Sequence, residues 1–122
     1  MRILLVSPDL MSTSRIAGLA ASMGASLEML ASPDAAAPDG PFDAVLVDLQ
    51  AIAGDAAAIV SRVRAAIEPR PSQEGVPLRV VAFGPHVQKQ RLEDALAGGA
   101  DEAVSRGELL GGFAALLGRV TR

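Results

Sequence analysis

The chain has 122 residues, half of them hydrophobic and 20% charged, with 11 Lys and Arg against 14 Asp and Glu and a formal net charge of -3. That length suits one compact domain spanning residues 1–122, and the apolar content excludes a disordered chain. With no Cys there is no disulfide framework, thiol nucleophile or thiolate metal site. Slight acidity and scattered Arg residues argue against a nucleic-acid partner. No apolar run reaches the roughly 18–20 residues that spanning a bilayer needs, so no membrane partner is expected and a cytoplasmic location is.

The opening apolar run stops at Ser7-Pro8-Asp9, short of the roughly 7–15 apolar residues of a secretory signal. Ile3 to Val6 reads instead as a strand buried on both faces. From about Leu10 to Met23, Ile16, Leu19, Ala20 and Met23 recur at helical spacing, and Gly24 supplies the cap. Ser26 to Ala31 is a weaker strand. Ser32 to Pro41, with Pro33, Pro38, Gly40 and Pro41, is a loop with at most one turn of helix.

Asp43 to Leu49 holds the clearest β-branched signal, Ala44-Val45-Leu46-Val47, ending at Asp48. A helix follows over about Asp55 to Glu68, with Ile59, Val60, Val63 and Ile67 on one face. Pro69 to Gly75 is a polar loop. Leu78 to Phe83 is another buried strand, stopped by Gly84-Pro85. Gln88 to Leu96 is a helix closed by Gly98-Gly99, Glu102 to Val104 a short strand, and Glu108 to Leu117 the last helix.

Strands alternating with helices imply a parallel sheet joined by right-handed crossovers. Five strands in this length predict an α/β, flavodoxin-like, doubly wound sheet in the order 2-1-3-4-5, with helices on both faces. Ligands of such sheets bind beyond the carboxyl ends of the strands. That rule selects Ser7, Pro8 and Asp9, then Asp48 and Gln50, then Gly84 and His86, and finally Arg106.

Asp48 has two readings: a strand-terminating Asp that caps the next turn, or a reactive carboxylate at the edge of the central strand. The chain resembles the receiver domain of bacterial two-component response regulators. The likeness rests on Arg2-Ile3-Leu4-Leu5-Val6, on Phe42-Asp43-Ala44-Val45-Leu46-Val47-Asp48-Leu49, and on Ala97-Gly98-Gly99-Ala100-Asp101-Glu102-Ala103-Val104. The resemblance implies a CheY-like signalling protein with Asp48 at the phosphoacceptor position.

Several of the family's other positions are altered. The acidic pair that helps hold Mg²⁺ corresponds to Ser7 and Pro8, with Asp9 displaced by one residue; Gln50 would supply the backbone carbonyl. Asp48 and Asp9 alone would bind Mg²⁺ weakly. Gly84 stands for the Thr or Ser that bonds the phosphoryl group, Arg106-Gly107 for the Lys-Pro pair, and Ala103 for the aromatic switch. Arg106 could pair with Asp48 or an anion, but its planar fork is no copy of an ammonium. Phosphoryl transfer depends on neutralising charge on the transferring oxygens, and little remains here to do so. The expectation is therefore a pseudo-receiver that stands alone, is not an enzyme, uses no cofactor (Mg²⁺ being disfavoured), and works through protein partners in signalling. The alternatives are a genuine phosphoacceptor using Asp48 and a module that binds a small ligand or anion at the same crevice.

His86 reads as a loop residue that helps start the next helix, or as a crevice residue that senses pH or an anion. Ser12-Thr13-Ser14 read as helix caps, or with Ser7 as a phosphate cradle of flavodoxin type. In the last helix, Leu109, Phe113 and Leu116 should face the sheet, leaving Leu110 and Leu117 on a neighbouring, exposed face. Receivers commonly dimerise through the fourth helix, fifth strand and fifth helix, so a homodimer through those elements is a further expectation.

Overall fold

Aliphatic runs with no polar alternation need cover on both faces, and Ile3–Val6 and Ala44–Val47 are each wholly buried. The structure is a computed structural model that describes residues 1–36, 38, 41–67 and 78–121. Its strands are β1 (Arg2–Val6), β2 (Ser26–Leu30), β3 (Ala44–Asp48), β4 (Arg79–Gly84) and β5 (Glu102–Ser105). The helices among the described residues are α1 (Leu10–Ser22), α2 (Ala56–Ile67), α3 (Lys89–Ala97), α4 (Arg106–Gly111) and α5 (Phe113–Val120). Every strand pair is parallel, and the order is β2-β1-β3-β4-β5, as the alternating pattern predicts.

The two-residue period of each strand sorts its side chains onto two cores. Ile3, Leu5, Leu46, Val81 and Phe83 pack with Ile16 and Ala20 of α1, Leu109 of α4, and Phe113 and Leu117 of α5. Leu4, Val6, Val45, Val47 and Val80 pack on the other side with Ile59, Val60 and Val63 of α2 and Ala95 of α3. Each fully buried aliphatic side chain contributes about 1.5–3 kcal/mol, so these two layers fix where the strand ends fall. In that register Val6 lies opposite Val47, and Asp48 opposite Phe83. Ser7 and Asp48 therefore leave neighbouring strands side by side.

Two glycines hold positions that a larger residue would disturb. Gly24 follows α1 in the left-handed region at φ +74°, the conformation that ends a helix without a Cβ clash. Gly98 ends α3 where a Cβ would stand 2.6 Å from Ala57 Cα and closer still to its carbonyl oxygen. Its lack of a side chain lets α3 close onto α2.

The last helix departs from the expectation. It is two helices, because Ser105 caps an earlier start at Arg106, in a reciprocal capping box with Glu108, and Gly112 leaves helical geometry at φ -135°. The break rephases the residues of α5, so Leu117 is fully buried and Leu110 half-buried against the same core. Neither forms the exposed face that continuous helical spacing predicts. Between β2 and β3 the described residues contain a turn, from Ser32 to Ala35, and no helix. The predicted loop over Pro69 to Gly75 falls outside the described residues.

Candidate functional site at the carboxyl edge

Asp48 ends β3 with no exposed surface. A carboxylate in that position is costly unless donors replace the water it loses, and the local chain supplies three. Ser7 Oγ donates to Oδ2 at 2.9 Å, while the backbone N–H groups of Gln50 and Ala51 donate to Oδ1 at 3.0 and 3.2 Å. The Asp48 carbonyl also accepts from the N–H of Ile52 at 3.2 Å. Asp48 thus caps the turn after β3, the strand-terminating arrangement open to any Asp at a strand end.

Ser7 extends the chain of bonds. Its Oγ accepts from the backbone N–H of Asp9 at 3.1 Å while donating to Asp48. The Asp9 side chain points to its own helix instead: Oδ1 accepts from the N–H of Met11 at 3.0 Å and Oδ2 from Ser12 Oγ at 2.9 Å. These bonds, the Ser12 hydroxyl foremost and then the Met11 N–H, hold the Asp9 carboxyl below its ordinary range; the nearby charge of Arg106 adds a smaller push in the same direction. Asp9 is therefore the N-cap of α1. Ser12 bonds Asp9 and does not cap the helix itself, Thr13 is buried, and Ser14 is exposed.

The remaining candidates scatter. Arg106 opens α4 rather than closing β5, and among the described residues it makes no hydrogen bond to Asp48. His86 is exposed in the turn where Gln88 N–H donates to the Pro85 carbonyl at 3.0 Å. Pro8 is exposed, and Gln50 turns its N–H, not its carbonyl, to Asp48. At Gly84, an added Cβ would meet Leu49 Cβ at 3.5 Å, Leu92 Cδ2 at 3.8 Å and the Gln50 backbone nitrogen at 4.0 Å, ordinary van der Waals contacts, and the position carries no hydroxyl. Among the described residues, Asp48 and Asp9 are joined only through Ser7.

Mg²⁺ needs a near-octahedral oxygen set with one or two free carboxylates. The residues here do not fit it. Both Asp48 oxygens accept internal hydrogen bonds, both Asp9 oxygens accept from α1, and Pro8 has no side-chain ligand atom. Among the described residues, no group of three or more His, Cys, Asp or Glu side chains could hold a metal. The Ser7 and Ser12 hydroxyls that a phosphate would use donate to carboxylates.

Sequence reasoning passed over Ala51, Leu92 and Arg91. Arg91, in the first turn of α3, donates from Nη2 to the carbonyls of Ile52 and Gly54 at 3.2 and 3.1 Å. Nothing in its sequence context separates it from any surface Arg. The one local signal is Gly54, which takes φ +117° in the loop that Arg91 holds.

The sheet order and edge define the class: this is the CheY-like, flavodoxin-like fold of response-regulator receiver domains. A two-component response regulator from Clostridium difficile superposes with a TM-score of 0.73 at 16% identity, over 98% of this chain and 96% of that one. The receiver domain of a sensor histidine kinase from Pseudomonas aeruginosa, solved with magnesium in its active-site cleft, gives 0.69 at 17% identity over 98% and 96%. A putative pilus assembly protein from Burkholderia thailandensis gives 0.71 at 16% identity over 98% and 97%. No protein-family model matches the sequence, and no curated protein matches it.

Proposed function

We propose that this protein is a pseudo-receiver: a signalling module that acts through protein partners, with no catalysis, no Mg²⁺ and no phosphotransfer at Asp48. One observation carries the reading. The Asp48 carboxylate is buried, with Ser7 bonded to Oδ2 and the Gln50 and Ala51 amides to Oδ1, so each oxygen that a phosphoryl donor could meet is already engaged from within the chain. Ser7 and Pro8 replace the acidic pair, Gly84 the hydroxyl, and Arg106 the Lys of the receivers it resembles. Little is left to neutralise an incoming phosphoryl group. The cleft magnesium of the Pseudomonas receiver has no matching ligand set here.

Contact, then, takes the place of chemistry, and the module works in the cytoplasm; no helix among the described residues is long and apolar enough to cross a membrane. The helix break supports a surface for it: a groove of about 290 Å³ runs beside β5, lined by Val104, Gly107, Gly111, Gly112, Ala115 and Leu116, with Glu108 and Arg119 among its walls. It lies on the face through which a homodimer is expected. Incubation with acetyl phosphate and Mg²⁺ followed by intact-mass measurement tests the reading. The expected spectrum is unmodified protein. A stoichiometric phosphoryl adduct that disappears in Asp48→Asn would make the chain a genuine phosphoacceptor.

A further inference from the structure

The loop from Leu49 to Asp55 is held from two sides. Its near half is fixed by Asp48, which takes the N–H groups of Gln50, Ala51 and Ile52. Its far half is fixed by Arg91, which takes the carbonyls of Ile52 and Gly54 across a separation of 39 and 37 residues. Ile52 belongs to both sets, donating its N–H backward to Asp48 and offering its carbonyl forward to Arg91. Leu92, next along α3, lies beside Gly84 and packs on the core cluster that contains Leu49. The first turn of α3 therefore closes on the loop with a guanidinium and a leucine side by side.

Two details mark Arg91 as more than an incidental surface bond. Its Nε is buried and has no hydrogen-bond partner among the described residues, a cost that exposed arginines escape by staying in water. The two carbonyls it holds are two residues apart and flank Ala53, next to the positive-φ Gly54, a spacing that one donor nitrogen spans while the rest of the planar group stays fixed.

We propose that Arg91 is a latch that ties α3 to the loop behind Asp48, so that this loop opens only when α3 shifts. Arg91 is a positioning residue: it acts on Asp48 through the backbone of residues 50 to 54. The outer side of α3, where Lys89, Gln90 and Glu93 are exposed, then becomes a lever on the carboxyl edge. A protein that tilts α3 would loosen the Gln50 and Ala51 amides from Asp48 without touching them. The latch is independent of whether Asp48 is ever phosphorylated.

Amide hydrogen exchange on the full chain, read residue by residue by NMR, tests it. Arg91→Met is expected to speed exchange at Gln50 and Ala51 on the order of tenfold, while the β3 amides of Val45 and Val47 keep their rates. Arg91→Lys, which retains charge and donors, should fall between Met and wild type, and it carries the test if the Met variant does not fold. Gln90→Ala, which removes only the exposed Gln90–Asp94 bond, should change neither pair. Unchanged rates at Gln50 and Ala51, or an equal rise at Val45 and Val47, would overturn the latch.

Discussion

At the amino edge of the sheet carboxylates meet guanidiniums, whereas at the carboxyl edge Asp48 meets a hydroxyl and two peptide N–H groups. Asp101, entering β5, accepts from the N–H of Val80 at 2.8 Å and pairs with Arg64 at 2.7 Å and Arg79 at 3.8 Å. Glu102 takes bonds from Arg119 at 2.9 and 3.0 Å. Arg2 pairs with Glu28 and stands over the Phe42 ring, 4.7 Å from its centre. These side chains stay partly in water, where an ion pair contributes about 0–1 kcal/mol. Asp48 is out of water, where a hydrogen bond to a charged group contributes about 1.5–3 kcal/mol. On the proposed reading, the edge that binds ligands in doubly wound sheets serves here as a structural joint, and the visibly charged edge is expected to matter less to stability.

The largest expected effect is steric and falls where α3 closes onto α2. Gly98→Ala would drive a Cβ to 2.6 Å from Ala57 Cα and closer still to its carbonyl oxygen. Backbone on both sides cannot yield cheaply, so a loss of about 3 kcal/mol or more is expected in chemical denaturation. A neutral result would mean that α2 and α3 have freedom to separate.

Next come the two members of the joint, measured against a charged pair. Asp48→Ala orphans three donors and should cost about 3 kcal/mol, and Ser7→Ala about 2 kcal/mol. The double variant should cost less than the sum, because each single change strands the other's polar group. Glu102→Ala, which frees an Arg119 whose side chain is 61% exposed, should cost less than about 1 kcal/mol. If Glu102→Ala proved the more damaging, the contrast between the edges would fail.

The smallest effect concerns Asp9 and depends on pH. Its carboxyl is held below the ordinary Asp value of about 3.9 by Ser12 and the Met11 N–H. A depressed folded-state value means that the charged cap stabilises fully above the unfolded value, and that this stability fades as pH falls through the folded one. Wild type should exceed Asp9→Asn in denaturant midpoint at pH 7 and converge on it below about pH 4. A gap that stayed constant with pH would place the contribution in shape rather than charge.

The fold was legible because aliphatic runs such as Ala44–Val47 have few ways to hide both faces, and because alternation with helices leaves parallel crossovers as the connection. Its failures were local. Gly111-Gly112 lies inside an apolar helical pattern, and spacing alone does not say that the pair breaks the helix and turns Leu117 inward. The site was legible in position but not in state. Asp48, Ser7 and Asp9 could be placed at one edge, yet whether Asp9 looks at Asp48 or at its own helix depends on the Ser12 hydroxyl and the Met11 amide. Arg91 was out of reach, since its partners are backbone carbonyls 39 and 37 residues away, and carbonyls carry no sequence signature.

Everything proposed for the carboxyl edge turns on the Asp48 carboxylate being engaged from within by Ser7, Gln50 and Ala51. A titration of the full chain with MgCl₂ at constant ionic strength, followed by ¹⁵N NMR at the Ser7, Asp9, Gln50 and Ala51 amides, addresses it most directly. All four signals should stay in place through millimolar Mg²⁺. Saturable shifts at Gln50 and Ala51 that vanish in Asp48→Asn would contradict it.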